Sequence, residues 1–376
     1  MLRSFHSIGQ GAFYTEDFSN FTAVYDCGTD TVIGSGTSST REKMIKNEIT
    51  SVFEENAKIN VLFISHFHRD HINGLEFLLS RCHVDYVVVP YLQEFSRIEL
   101  FLETYIKNSD FINDTILDPA GAIQRLSPDT KVIYINPFKE NSDENTEVQL
   151  ESLIHGNSIN SNASLRSKIV GFWEYIPCNF DFSARSKKLQ AELNKNNIAI
   201  SNANSFKNSW KNSNNQKKIK SAYKKLGGNF NATTMTVYSG HLGEKHFYQQ
   251  SSDNHCSLCC HTFCSGCLCY RTFGSGCLFL GDFEANKNWS ALEHAYKKKW
   301  GNIRVIQIPH HGAKDNYTSN LNSNPLIYSV ISAGTVNSHR HPHSYTTGEI
   351  IKHHGIMKIV TESPATRFQL LVEPKI

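Results

Sequence analysis

The sequence predicts an α/β fold, and three observations support that prediction. Short apolar segments typical of buried strands alternate with segments whose apolar residues recur at helical spacing. Several strand-like segments end in clusters of histidine and aspartate, as expected where an α/β fold builds a site from the loops after its strands. A chain of 376 residues is also long enough to bury a substantial core.

The first 90 residues alternate strand and helix signals. Residues 5–30 indicate two strands joined by a turn, and residues 38–55 are typical of a helix. A buried strand is predicted at 61–64, and apolar residues recur at helical spacing over 72–79. A strand at 84–90 follows. The polar loop after residue 64 therefore lies between a strand and a helix.

The middle of the chain, residues 92–226, is predicted to be a largely helical insertion, although a strand signal occurs at 131–135. Its last part, residues 202–225, is rich in Asn, Ser and Lys, which fits a solvated helix or a linker. A nucleic-acid-binding arm is the alternative, because lysines recur along this segment.

Strands and a helix alternate again in the last third of the chain. Strands are predicted at 233–238, 277–280, 303–308 and 328–332, and a helix at 285–299. This return to alternation indicates that the two ends of the chain belong to one α/β fold.

A Cys-rich hairpin insertion is predicted at residues 251–276, where most of the ten cysteines lie. Two Cys-x-x-Cys pairs, beginning at Cys256 and Cys264, have the composition of a structural zinc site. The pairs are closer together than such sites usually place them. A thiol-rich hairpin and a local metal site therefore both stay open.

One loop concentrates metal-binding side chains: His66, His68, Asp70 and His71 lie within six residues, directly after a buried strand. Neutral imidazole and carboxylate are ligands that suit zinc and also manganese or iron. With 18 histidines in the chain a chance pair is unremarkable, but the full His-x-His-x-Asp-His run after a strand is specific. Four donors on one loop can divide between two adjacent ions.

Further candidate donors follow three later strands. Asp282 ends the segment after the strand at 277–280, and His310 and His311 follow the next strand. His341 and His343 lie beyond the strand at 328–332. A pair of metal ions needs more donors than the first loop supplies, so their recurrence at strand ends predicts one site assembled from separate loops.

In this order the motifs resemble the metallo-β-lactamase superfamily and, within it, the C-terminal hydrolase domain of ComEC-class DNA-uptake proteins. The matching motifs are Gly-Gln-Gly at 9–11, Asp-Cys-Gly at 26–28, the histidine signature at 66–71, Gly-Asp at 281–282, His-His-Gly at 310–312 and a tail ending in His-Pro at 341–342. The resemblance implies an αββα sandwich in a single domain over residues 1–376. The insertion and the Cys-rich hairpin depart from the family pattern.

The resemblance also implies two divalent ions, zinc or manganese, and a position for each donor. The implied ligands are His66 and His68 for the first ion, Asp70, His71 and His310 for the second, and Asp282 between them. A third protein ligand of the first ion has no clear counterpart, and His155 and His241 are the candidates.

The implied mechanism is hydrolysis of a phosphodiester bond by a hydroxide that the two ions activate. Asp70 would steer the attacking water, and His341, whose type of side chain titrates near neutrality, would protonate the leaving group. His343 and His311 are in reserve, and Asp26 would orient a ligating histidine.

Nucleic acid, DNA or RNA, is the substrate class that the resemblance implies, or else a nucleotide. A hydrolase of a small molecule such as a cyclic nucleotide, lactone or thioester is the alternative on the same metal core. A non-catalytic module is disfavoured because the candidate donors are intact. The net charge of +3 does not mark the whole chain as a polyanion binder, so nucleic-acid binding must come from local features.

The N-terminus lacks the apolar region and the cleavage site of a secretory signal, and no apolar run reaches the roughly 18 residues of a membrane span. We therefore expect a cytoplasmic protein without membrane contact. A protein partner that delivers the substrate stays an open alternative.

Overall fold

The computed structural model describes residues 1–31, 38–106, 109–140, 146–181, 185–226, 233–243, 247–251, 274–324 and 327–374. Within them the chain forms two β-sheets packed face to face, with helices on both outer surfaces. The predicted αββα sandwich is confirmed.

The first sheet contains nine strands among the described residues. In spatial order they are β12 (Phe247–Ser251), β17 (Phe368–Pro374), β1 (Leu2–Phe5), β2 (Gly11–Asp17), β3 (Thr22–Thr29), β4 (Lys58–Phe63), β5 (His83–Pro90), β6 (Lys131–Ile135) and β8 (Ser158–Ile159). Neighbours from β3 to β8 are parallel, and the other pairs are antiparallel. The carboxyl ends of β3 and β4 therefore reach the same edge.

The second sheet contains eight strands among the described residues. In spatial order they are β16 (Ile356–Val360), β15 (Tyr328–Ser332), β14 (Ile303–Gln307), β13 (Gly276–Phe279), β11 (Thr233–His241), β10 (Trp173–Asp181), β9 (Ser164–Arg166) and β7 (Glu147–Gln149). Strands β13 to β16 are parallel, so the loops after them share one edge.

Helices cover both outer faces. The described helices are α1 (Ser38–Val52), α2 (Arg69–Ile72), α3 (Leu75–Arg81), α4 (Glu94–Thr104), α5 (Asp110–Leu117), α6 (Pro119–Leu126), α7 (Arg185–Lys195), α8 (Ala203–Trp210), α9 (Ser213–Lys224), α10 (Trp289–Tyr296) and α11 (Ser344–Lys352). Helices α1 and α3 to α9 pack on the first sheet, and α10 and α11 pack on the second. None of them combines the length and apolar character that a bilayer span requires.

The space between the sheets is filled largely by aromatic side chains. The ring of Phe279 stacks on Tyr25 and Tyr14, with centroid separations of 4.8 and 5.8 Å. Phe63 packs against Tyr175 at 5.2 Å. Each pair joins one sheet to the other, so this core fixes the sheets against each other.

Several predicted elements differ from the structure. Residues 5–30 fall within three strands rather than two, because β1 and β2 form a separate antiparallel pair before β3. The helix predicted at 285–299 is shorter, since Phe283 and Ala285 are buried in a turn before α10 begins. Residues 92–226 contain α4 to α9 but also β6 to β10, which belong to the two sheets. The division of this range as an insertion stays a prediction.

The predicted Cys-rich hairpin lies mostly outside the described residues, since 252–273 are not among them. The strands on either side, β11 and β13, pair antiparallel. The described cysteines are free and buried: Cys27, Cys82, Cys178 and Cys277.

A buried ion pair lies inside the first sheet, and we predict that it is a sensitive point for stability. Arg3 Nε donates to Glu16 Oε1 at 2.7 Å, and Ser239 Oγ donates to the other carboxylate oxygen at 2.5 Å. Replacing Arg3 by Met leaves the Glu16 carboxylate buried without its cation, so the free energy of unfolding should fall by about 3–5 kcal/mol in urea denaturation.

The matched control for this prediction is the double variant Arg3→Met/Glu16→Gln, which removes both charges. It should recover a large part of the lost stability, because no uncompensated charge is then buried. Equal destabilisation of the single and double variants would contradict this account.

Candidate metal centre

The predicted donors lie together at the edge of the sandwich where the parallel strands end. His66 and His68 follow β4, and α2 carries Asp70 and His71. Asp282 follows β13 of the second sheet, and the turn Pro309–Gly312 follows β14. The site is therefore assembled from both sheets, as the recurrence of donors at strand ends predicted.

Two glycines allow the loops of this edge to approach closely. A Cβ on Gly28 would lie 2.6 Å from the carbonyl carbon of His71, so β3 contacts α2 backbone to backbone. Gly281 has φ of +53°, and a Cβ there would lie 2.8 Å from Ser65 Cβ. The loop of the second sheet thus packs directly on the first residue of the signature loop.

The donors divide into two groups that share Asp282. The first group is His66, His68 and Asp282, and the second is Asp70, His71, Asp282 and His311. Within each group the ligand atoms lie within 4.8 Å of one another. Asp282 Oδ2 is 3.6 Å from His66 Nε2, and its Oδ1 is 3.2 Å from His71 Nε2. One carboxylate therefore faces both groups.

Four donor atoms of this cluster are buried without a hydrogen-bond partner: His66 Nε2, His68 Nε2, His71 Nε2 and Asp282 Oδ1. A buried polar atom left unpaired costs about 1–3 kcal/mol, so several converging on one point need a common partner. Imidazole nitrogens with a carboxylate oxygen are the donor set of divalent transition metals. The residues present therefore fit metal ions.

Asp26 and Ser65 orient two of the histidines. Asp26 Oδ1 accepts from the backbone N–H of Ser65 at 2.7 Å, and Asp26 Oδ2 lies 2.8 Å from His71 Nδ1. Ser65 Oγ donates to Asp26 Oδ2 at 2.6 Å and lies 2.9 Å from His66 Nδ1. With Nδ1 engaged, Nε2 of each ring is left facing the cluster. This contact is the one predicted for Asp26.

The cluster has a strong negative potential at His71. Burial disfavours the charged imidazole, yet Asp282, Asp26 and Asp70 together raise the pKa of His71 well above its usual value. Burial also opposes ionisation of Asp282, but the neighbouring histidines His310, His71 and His66 hold the pKa of its carboxyl well below the usual range. A positive charge is thus favoured between the carboxylates, where a metal ion would supply it.

His68 has the opposite character. Burial, followed by the proximity of His66, lowers the pKa of His68 to about 3. Its imidazole is therefore neutral near pH 7, which is the form that binds a metal.

The structure separates the two neighbouring histidines of the turn Pro309–Gly312. His311 Nδ1 lies 2.9 Å from the carbonyl oxygen of Ser332, and its Nε2 lies 3.1 Å from Asp70 Oδ2. His310 Nδ1 instead faces Asn316 Oδ1 at 2.9 Å, and its Nε2 is 3.8 Å from Asp282 Oδ2, outside both groups. His311 thus occupies the position that the resemblance implied for His310.

Both histidines of this turn have a left-handed backbone, with φ of +48° and +57°, and Asp26 has φ of +54°. Such conformations in residues other than glycine cost about 1–3 kcal/mol each and are concentrated at functional sites. Here they direct the side chains of three residues to the same edge.

His341 lies on the rim of the cluster. Its ring centroid is 5.5 Å from that of His310 and 6.2 Å from that of His311. Burial, with the nearby His311 and His310, lowers the pKa of His341 to about 4, so the near-neutral value expected from the side chain alone does not hold. His343 is exposed, and its Nδ1 accepts the N–H of Tyr345 at the start of α11.

The two candidates for a further ligand of the first ion lie outside both groups. His155 Nδ1 accepts from the N–H of Val132 at 3.2 Å, and His241, at the end of β11, packs against Phe172. Among the described residues, the first group has two histidines and one shared carboxylate.

Three polar residues that support the site were missed from sequence. Ser65 adjoins the signature, and Gln307 Oε1 accepts the N–H groups of Leu280 and Gly281 at 2.7 Å each. Asn316 Nδ2 donates to the carbonyl oxygen of Asp282 at 2.8 Å. The position of Ser65 beside the signature was a usable signal, whereas Gln307 and Asn316 act through contacts distant in sequence.

Residues 14–150 match the family model described as the Metallo-beta-lactamase superfamily. The chain therefore contains a metallo-β-lactamase superfamily domain, and the matched range includes the signature at 66–71. With the αββα fold and the clustered donors, this match supports a metal-binding hydrolase.

Two solved structures are similar to this chain at 8% identity each. Human tRNase Z, short form (ELAC1), has a TM-score of 0.35, with 96% of this chain and 92% of that chain covered. A long form RNase Z from yeast has a TM-score of 0.32, with 82% and 32% covered. No curated protein sequence matches this chain. The finer resemblance to ComEC-class hydrolase domains stays a prediction.

We predict that Asp26→Ala weakens metal binding by about 10–100-fold, because the His71 ring loses the carboxylate that orients it. The measurement is zinc affinity in competition with a chromophoric chelator. Asp129→Ala, at an exposed position before β6, is the control and should bind as wild type. Unchanged affinity in Asp26→Ala would show that the contact does not position the histidine.

The turn after β14 gives a second prediction about metal content. His311→Ala should reduce the bound metal by about one ion per chain, since it removes a donor of the second group. His310→Ala should retain both ions, because His310 lies outside the groups. Elemental mass spectrometry of the two purified variants distinguishes them, and the reverse pattern would assign the ligand to His310.

Proposed function

We propose that this protein is a metal-dependent hydrolase that cleaves phosphodiester bonds, and that it acts as a nuclease on DNA or RNA. The observation that carries the proposal is the pair of buried donor groups that share Asp282, with four unpaired ligand atoms converging between the sheets. Two adjacent cation sites bridged by one carboxylate are typical of enzymes that hydrolyse phosphate esters.

Two divalent ions, zinc or manganese, would be held by the two groups. His66 and His68 would bind the first ion, and Asp70, His71 and His311 the second, with Asp282 between them. When bound, such ions lower the pKa of water and neutralise negative charge on phosphate oxygens.

The carboxylates of the site differ in exposure, and this difference supports separate roles. The Asp70 side chain is 19% exposed, whereas that of Asp282 is 6% exposed. Asp70 is held by His311 through one oxygen. We therefore assign to Asp70 the orientation of the attacking water, and to the more buried Asp282 a structural position between the ions.

The leaving group would be contacted from the rim, where His341 lies beside His310 and His311. Its lowered pKa makes the imidazole neutral near pH 7, and a neutral imidazole still donates one N–H hydrogen bond. We assign the contact with the leaving oxygen to His341 and leave His343 to the helix start that it caps.

The test combines metal content with hydrolysis. Wild type, Asp70→Ala and the surface control Asp129→Ala are analysed by elemental mass spectrometry, then incubated with single-stranded DNA, RNA and bis(p-nitrophenyl) phosphate in manganese or zinc. We expect about two ions per wild-type chain. Hydrolysis should fall by about 10²–10⁴-fold in Asp70→Ala and stay unchanged in the control.

Two other outcomes are decisive against the proposal. Two ions without cleavage of either polymer or of the generic diester would favour the small-molecule hydrolase on the same core. Absence of bound metal after purification and reconstitution would reject the metal-dependent mechanism.

A further inference from the structure

The positive charge of the chain is concentrated in one segment. Residues 185–226, which form α7 to α9, contain eleven of the 38 lysine and arginine residues but only one of the 35 acidic residues. The segment therefore carries a net charge of +10, against −7 for the rest of a chain whose total is +3. So large an asymmetry is typical of a surface that binds a polyanion.

The apolar side of this segment is used for packing, which leaves the lysines outside. Helices α7 and α9 pack on each other and on α4, with Leu189, Phe206 and Ile219 buried in the core. Six lysines are exposed and have no ion pair with a described residue: Lys187, Lys188, Lys211, Lys217, Lys218 and Lys224.

The acidic groups near this surface neutralise few of the lysines. Lys195 and Lys225 both contact Glu192, the one acidic residue of the segment. Lys207 pairs with Asp114 of α5 at 2.7 Å. The remaining charge is balanced only by solvent ions, which a polyanion would displace with a gain in entropy.

The segment is attached to the fold at the metal edge. It lies between the end of β10 and the start of β11, where Asp181 pairs with Thr233. Two residues further, the N–H of Met235 donates to the carbonyl oxygen of Ser65 at 2.8 Å, directly beside His66. The strands that lead into and out of α7 to α9 thus adjoin the signature loop.

We infer that α7 to α9 form a binding surface for the phosphate backbone of a nucleic acid, which holds the polymer beside the metal edge. This inference rests on the proposed function and names the part of the molecule that would select a polymer over a small diester. Lysine side chains, with the Asn and Ser that alternate with them, are groups that contact phosphate and sugar without reading sequence.

An anionic membrane is the other partner that lysines can serve, and the surface fits it less well. Membrane-bound helices expose large apolar side chains that enter the interface. Among the described residues of α7 to α9, none is an exposed large apolar side chain.

The test measures binding separately from hydrolysis. The variant Lys217→Glu/Lys218→Glu/Lys224→Glu reverses three charges on α9, and Lys168→Glu/Lys297→Glu/Lys352→Glu makes the same charge change at exposed sites elsewhere. Metal-loaded proteins of matched thermal stability are titrated, at several salt concentrations, into a fluorescent phosphorothioate oligonucleotide that resists cleavage. Hydrolysis of bis(p-nitrophenyl) phosphate is followed in parallel.

The α9 variant should bind the oligonucleotide at least about tenfold more weakly than the control, with a shallower dependence on salt by about 0.7–0.9 per lost phosphate contact. Its hydrolysis of the small diester should equal that of wild type. Equal affinity in both variants would overturn the inference, as would retention on phosphatidylserine vesicles without binding to the oligonucleotide. Loss of binding in the α9 variant, in a protein that hydrolyses no diester, would support the surface and reject the proposed function.

Discussion

The position of Asp282 is the constraint on which the site depends. Its carboxylate comes from the second sheet, yet its two oxygens lie near His66 and His71, which come from the first. A buried carboxylate among unpaired imidazole nitrogens is unfavourable unless positive charge joins them. The fit of the two sheets at this edge and the capacity to bind cations are therefore the same physical problem.

Much of the surrounding structure serves to fix this arrangement. Gln307 holds the backbone of Gly281, and Asn316 holds the carbonyl group of Asp282. On the opposite side, Asp26 and Ser65 hold the signature histidines. The stacked rings of Tyr25 and Phe279 fix the sheets immediately beneath. Rigid support from both sheets keeps several donors unpaired and close together, which isolated loops would not do.

The fold class and most of the site could be predicted from sequence because their signals are local. The αββα sandwich followed from alternating elements and ordered motifs, and five of the six predicted metal donors lie in the two groups. The choice between His310 and His311 was not predictable. Adjacent histidines are equivalent in a sequence pattern, and the left-handed backbone of the turn decides which ring faces Asp70.

Other differences also arise from contacts that a linear pattern does not contain. The strands within 92–226 are short, and they are strands because they pair with β5 and β11, far away in sequence. The pKa of His341 differs from the ordinary value because the fold brings it beside two other histidines. Concentration of lysines in 185–226 was visible in the sequence, but the attachment of this segment at the metal edge was not.

The most direct test of this account is a crystal structure of the protein grown with manganese or zinc, with anomalous diffraction recorded at the absorption edge of the metal. The account predicts two anomalous peaks, one among His66, His68 and Asp282, and one among Asp70, His71, Asp282 and His311. Absence of a peak at this edge, or a single ion bound by other residues, would contradict the two-metal centre.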